Sequence, residues 1–292
     1  MKNAPLRHAL EYGAYSVLRG VLRALPHTAS RALGADLGGL AFHLDRRRRA
    51  IADENLAAAY PQLDARARRA IVRSCFRHFG ASFADALSAL RFDPVGLCER
   101  VTLDGWHHFE EGERAGHGLL VMGAHLGNWE IVPPAIATWR GPMAAVGRAA
   151  DNPHFNREIQ RLRTRFGNRS LDKRGSVREM YRVLQEGGRL GLLIDQRVRA
   201  NEAIDVPFFG RPALTSPILA RLSLKTGAPV VAAFGWHLPG GRYRIEVRPP
   251  IFPEGRGDEA VLALTRRYLA LVENAVAPAP EQWLWLHRRW KH

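Results

Sequence analysis

Four short apolar runs, GLLVMG (118–123), MAAVG (143–147), LGLLID (190–195) and APVVAAFG (228–235), leave few architectures open to this chain. Each is of strand length and nearly free of polar residues, which is the pattern of a strand buried on both faces. RYRIEV (242–247) alternates apolar and polar residues, as a half-exposed strand does. Between the runs lie helical patterns with legible starts. Asn152 caps a helix with Pro153 in its first turn, running to about Phe166. Strands alternating with helices predict an α/β fold with a largely parallel central sheet flanked by helices, spanning 96–292.

The preceding residues, 1–95, read as a helical N-terminal extension. Ala14, Val17, Leu18, Val21 and Leu25 recur from Leu10 at helical spacing, with Tyr12, Ser16, Arg19 and Arg23 on the other side. Such a helix can dock on its own domain or lie in a lipid headgroup layer, where the arginines of 46–49 and of 66–77 would add attraction to anionic lipid. Lys and Arg exceed Asp and Glu by 15, a field that attracts phosphates, anionic lipid or an acidic carrier protein. A nucleic-acid-binding module is not expected, because the arginines are scattered over several elements and no such fingerprint is present. Cys75 and Cys98 make no CxxC motif and no disulfide framework, which fits a reduced, cytosol-facing chain. The N-terminus has no signal-peptide pattern. The longest stretch without a charged residue, Thr226 to Gly241, carries glycines and prolines, so membrane contact is expected to be interfacial or weakly anchored.

The stretch GAHLGNWE (123–130) holds the sharpest chemical signal. His125 and Glu130 are five residues apart, a rotation of about 140° on an ideal helix, so they cannot be a zinc pair on one helical face. His125 belongs instead to the turn leaving a strand, and Glu130 to the first turn of the next helix, with Gly123 and Gly127 permitting the turn. Ligands bind at the carboxyl ends of strands in open α/β sheets. A histidine backed by a carboxylate is a general base with its orienter; the bland reading is strand-to-helix punctuation. No G-x-S-x-G elbow occurs and neither cysteine has a catalytic setting, so the nucleophile would belong to the substrate.

Three further groups stand out. On the helix after Asn152, Phe155, Ile159, Leu162 and Phe166 form an apolar stripe, with Arg163 and Arg165 about 80° to either side, where either could reach a site edge or lie solvated. Asp195 ends a buried strand, an unusual place for a carboxylate that only fills space. Phe208 and Phe209 of VPFFG are core residues or an apolar wall for an acyl chain. The tail PEQWLWLHRRW (280–290) suits a packed C-terminal strand or an interfacial aromatic belt.

GAHLGNWE, NPHFNREIQRLRTRFGN, LIDQ with VPFFGRPA, LKTGAPVVAAF and PEQWLWLHRRW occur in an order that resembles the bacterial lipid A late acyltransferases, the lauroyl/myristoyl acyltransferase family of lipopolysaccharide biosynthesis. The resemblance covers about residues 100–292, more loosely the N-terminus. It implies a glycerolipid-acyltransferase-like α/β domain at the cytoplasmic face of the inner membrane, peripheral or held by a single N-terminal anchor. The activity it implies is acyl transfer from an acyl carrier protein thioester, or acyl-CoA, to a hydroxyl of a lipid A precursor, without cofactor, metal or acyl-enzyme. It makes His125 the base, Glu130 its partner and Arg163 the active-site arginine, with Arg165 the second choice. Asp195, Arg165, Arg148, Phe208 and Phe209 are the implied substrate-binding residues. Partners would be the acyl carrier protein, the lipid A precursor and anionic inner-membrane lipid. Leu126 and Arg197 stand where many members carry an aromatic residue and an acid, and another membrane glycolipid, such as a phosphatidylinositol mannoside, is the alternative acceptor.

Overall fold

All four apolar runs lie in one sheet. The structure is a computed structural model that describes residues 4–88, 93–173 and 175–290. Its strands, in chain order, are β1 (Val101–Asp104), β2 (Leu119–Gly123), β3 (Ala144–Gly147), β4 (Arg169–Asp172), β5 (Arg189–Leu193), β6 (Ile204–Phe208), β7 (Arg211–Thr215), β8 (Val230–Leu238) and β9 (Arg242–Val247). The sheet order is β1-β9-β8-β2-β5-β3-β4, while β6 and β7 pair separately. Neighbours are parallel except β8 and β9, so the sheet is the largely parallel one that the strand–helix alternation predicts. The edge strands VTLD and RSLD and the β6–β7 hairpin escaped the sequence reading, because four-residue strands with polar members carry too little periodicity.

Side chains along the central strands alternate between two cores. Leu120 and Met122 of β2, Leu190 and Leu192 of β5, and Val230, Ala232 and Phe234 of β8 face one core. Leu119 and Val121, with Val231 and Ala233, face the other. Helices cover both faces: α5 (Pro94–Cys98), α6 (Trp106–Glu113) and α7 (Val132–Arg140) supply Leu97, Phe109, Ala135 and Ile136 to the second core. On the first, α9 (Val177–Gln185), α10 (Ile218–Thr226) and α11 (Gly257–Val276) contribute Leu184, Leu222 and Leu269. The remaining helix between strands, α8 (Pro153–Thr164), begins as the sequence predicts, with the Asn152 side chain accepting from the His154 N–H.

The N-terminal helices are α1 (Ala4–Ala24), α2 (His27–Leu44), α3 (Arg46–Ala59) and α4 (Ala65–Ser88). The last three share the first core with the sheet through Phe42, Leu56, Val72 and Phe76. The C-terminal tail is packed rather than belt-like: Trp283 and Trp285 are buried in that core, and the Asn55 side chain donates to the carbonyls of Trp285 and His287.

Candidate active site

Parallel register brings the site together. Gly123 of β2 pairs with Leu193 of β5, so two residues beyond each strand His125 and Asp195 emerge side by side at the carboxyl edge of the sheet. The His125 ring nitrogen Nδ1 lies 2.8 Å from Asp195 Oδ1, and the His125 backbone N–H donates to Oδ2 at 2.9 Å. Trp283 Nε1 also donates to Oδ2, at 2.8 Å. Burial of Asp195 by itself would raise its pKa. Opposite charge on His125, the two bonds from His125 and the indole N–H outweigh it, so the carboxyl is held below the ordinary aspartate range. An ionised Asp195 fixes the Nδ1–H tautomer and leaves the Nε2 lone pair 3.2 Å from the Gln196 side-chain amide.

The carboxylate on the imidazole is therefore Asp195, not the Glu130 expected from its nearness in sequence. Glu130 lies in a single 3-10 turn, Trp129–Ile131, that leads into α7, and binds Arg163 of α8: Nη2 donates to Oε1 at 2.7 Å and Nε to Oε2 at 3.3 Å. Burial lowers the Arg163 pKa and Glu130 raises it by more, so the guanidinium stays charged. A side chain on Gly147, at the end of β3, would meet Arg163 Nη1 at 2.3 Å; the glycine is what lets the guanidinium lie across the strand end.

The turn bearing His125 is clamped from three sides. Gly127 has φ +60, and an added Cβ would meet the Gly235 carbonyl oxygen at 2.0 Å, so only glycine fits. Asn128 N–H donates to that same carbonyl, Leu284 N–H to the His125 carbonyl, and His78 Nε2 of α4 lies 3.1 Å from the Gly127 carbonyl. Beside the turn, a pocket opens under the sheet, lined by Val121, Gly191, Leu193, Ala145 and Leu162, with Glu130 and Arg163 as its charged groups. Met143 also lines it, and its methyl fills the space beside Gly191 of β5, where an added Cβ would meet Cε at 2.6 Å. Trp129 lines it too and lies 5.0 Å from the His125 ring, centroid to centroid, linking base and pocket.

The other expected residues fall elsewhere. Phe208 is fully buried, stacked on Trp290 with Arg289 over its face, and Phe209 packs among Tyr60, Trp283 and Trp285; neither lines the pocket. They pack against the tail because the β6–β7 hairpin folds onto α11, where Glu273 accepts the Phe209 N–H. Arg148 follows β3 at the site's edge, exposed and paired with Asp151 at 2.6 Å. Arg165 is exposed, its guanidinium over the Phe166 ring. Trp283, Gln196 and Gly147 carried no signal of their own in the sequence; the repeated tryptophans of the tail were the nearest hint. Among the described residues, no three His, Cys, Asp or Glu side chains are grouped to hold a metal ion.

The site thus joins a histidine–aspartate pair at a strand end to a largely apolar pocket that also holds Glu130 and Arg163, an arrangement of the kind α/β enzymes use. The family is identified by comparison: the bacterial lipid A biosynthesis acyltransferase model matches residues 1–292, and the chain belongs to that family and is an acyltransferase. It is 26% identical to the lipid A biosynthesis lauroyltransferase of Escherichia coli K12, over 91% of this chain and 87% of the relative. It is 28% identical to the myristoyltransferase of the same organism, over 96% and 87%. A phosphatidylinositol mannoside acyltransferase of Mycolicibacterium smegmatis is 23% identical over 75% and 72%.

Proposed function

We propose that the protein transfers a fatty acyl chain from an acyl carrier protein thioester, or from acyl-CoA, to a hydroxyl of a lipid A precursor, with His125 as general base. The observation that carries the proposal is the His125–Asp195 pair, which leaves the other imidazole nitrogen, beside the Gln196 amide, to take a proton. The acceptor hydroxyl displaces the Gln196 amide from Nε2, gives its proton to that nitrogen and attacks the thioester carbonyl. Asp195 stabilises the imidazolium so formed. Arg163, steadied by Glu130, is the cation for the oxyanion. Collapse breaks the C–S bond, and the imidazolium returns its proton to the thiolate. No acyl-enzyme is needed. The pocket beside Trp129 takes the acyl chain, the role that sequence suggested for Phe208 and Phe209.

The net charge of +15 suits an acidic carrier, the phosphates of lipid A and anionic lipid at the cytoplasmic face of the inner membrane. Similarity to a phosphatidylinositol mannoside acyltransferase supports a second acceptor, a phosphoglycolipid handled by the same base.

Transfer of a labelled acyl chain from carrier protein to a lipid A precursor tests the reading. Asp195→Asn and His125→Ala are expected to lower kcat/KM by about 10² to 10⁴, with Glu130→Gln acting through Arg163. Undiminished transfer by His125→Ala would remove the base. Wild-type transfer to a mannoside but not to lipid A would reassign the acceptor.

A further inference from the structure

A line of hydrogen bonds runs from the N-terminal helices to the turn that carries His125, and donor chemistry fixes its direction. At its far end Arg31 of α2 binds Asp85 of α4, which is buried and also held by the Tyr243 hydroxyl. The same guanidinium nitrogen lies 2.8 Å from His237 Nδ1 on β8, with Asp85 Oδ2 farther off at 3.5 Å. A guanidinium only donates, so Nδ1 is the bare nitrogen and His237 carries its proton on Nε2. That Nε2 lies 3.0 Å from Ser82 Oγ, which accepts, while the Ser82 hydroxyl donates to the His78 carbonyl at 3.0 Å. His78 Nε2 is 3.1 Å from the Gly127 carbonyl oxygen, with Ser82 Oγ at 3.4 Å as a weaker second acceptor. A carbonyl only accepts, so this nitrogen bears the hydrogen.

Every donor along the line thus points one way, from Arg31 toward Gly127. The His237 ring also braces His78 edge-on, 4.7 Å between centroids. Burial first, then the neighbouring His78, Arg31 and His27, holds the His237 pKa far below the ordinary histidine range, so the ring stays neutral. Apolar side chains could fill this space between α4 and β8; a directed polar line fixes one geometry instead.

The line ends on the turn that the chemistry depends on. Gly127 is buried, two residues after His125 and left-handed, and among the described residues no backbone N–H reaches its carbonyl. A buried carbonyl left unpaired draws its peptide to rotate toward another donor.

We propose that His78, held by Ser82, His237 and the Arg31–Asp85 pair, is a positioning residue for acyl transfer: it fixes the Gly127 peptide and, through it, the angle at which His125 meets the acceptor hydroxyl. The proposal rests on the reading of His125 as the base. It makes the N-terminal helices part of the catalytic apparatus, since all these side chains but His237 come from α2 and α4.

The test is steady-state transfer of a labelled acyl chain from carrier protein to a lipid A precursor, with melting curves to confirm folding. His78→Leu should lower kcat by about 10- to 100-fold with KM little changed. His78→Gln should recover most of that loss, because a glutamine amide donates from near the place of Nε2. Ser82→Ala, a smaller change, should lower kcat by about fivefold, the equivalent of one neutral hydrogen bond. Because His78 acts through His125, adding His78→Leu to His125→Ala should lower transfer no further, whereas a general loosening of the fold would lower it again. Wild-type kcat in folded His78→Leu, a His78→Gln no better than His78→Leu, or losses that multiply in the double variant would overturn the proposal. If His78→Leu does not fold, an unchanged kcat in Ser82→Ala overturns it. Full transfer by His125→Ala would sink the reading of the base and this proposal with it, while loss in His125→Ala with none in His78→Leu would sink the positioning alone.

Discussion

Gly147 has no side chain, and the Arg163 guanidinium occupies the space where one would stand. Gly147→Ala should push the guanidinium off the strand end and loosen its bonds to Glu130. The flexible arginine yields before the backbone does, so kcat/KM should approach that of Arg163→Ala while the melting temperature changes little. His78 permits a prediction on pH. Burial pushes its pKa down to about 4, opposed in part by its bond to the Gly127 carbonyl. An unfolded imidazole protonates near 6.5, so the unfolded chain takes up the proton first as pH falls. The stability that neutral His78 contributes is complete above about pH 6.5 and is lost toward pH 4, on the order of 3 kcal/mol. Asp85, pushed up to about 6 by its burial despite Arg31 beside it, acts with the opposite sign over part of that range. The contribution of His78 is therefore read as the difference between wild type and His78→Gln in urea unfolding at successive pH values, which should narrow as pH falls. Neither residue could be singled out in the sequence, because each owes its role to a neighbour that arrives from another part of the chain.

Among elements, the β6–β7 hairpin closes through two residues, Phe209 at φ +50 and Gly210 at φ +70, a turn whose twist matches that of its strands. Phe209 tolerates a left-handed conformation because its ring is packed among Tyr60, Phe208, Trp283, Trp285 and Trp290 and its N–H is bound by Glu273. Gly210→Ala should cost about 1–2 kcal/mol, the penalty for a Cβ in that region, seen as a lower melting temperature. Strands of the sheet centre were legible because burial on both faces demands unbroken apolar runs. The facing of α1 was not: periodicity separates a helix into sides but does not say which side meets the protein. Its aromatic and charged residues found partners on α8, Leu18 and Leu22 packed with Ala84 and Leu87 of α4, and Leu10, Val17 and Val21 were left outward.

For the molecule as a whole, the excess of 15 positive charges predicts that association with an acidic carrier weakens with ionic strength. KM for the acyl carrier protein should rise with salt while kcat holds, as steady-state assays at increasing sodium chloride would record. A KM indifferent to salt would point to an uncharged docking surface or to acyl-CoA as donor. Local composition determined the α/β class, the cap at Asn152 and the placing of His125 at a strand exit, because hydrophobic period, capping and turn chemistry act over a few residues. The partnership of His125 with Asp195, seventy positions along, was decided only in the folded sheet. Parallel register sets two strand ends side by side, and register comes from the packing of both faces against their helices, which no local window contains. Glu130, near in sequence but turned toward α8, was released by that arrangement to hold Arg163 in the pocket wall.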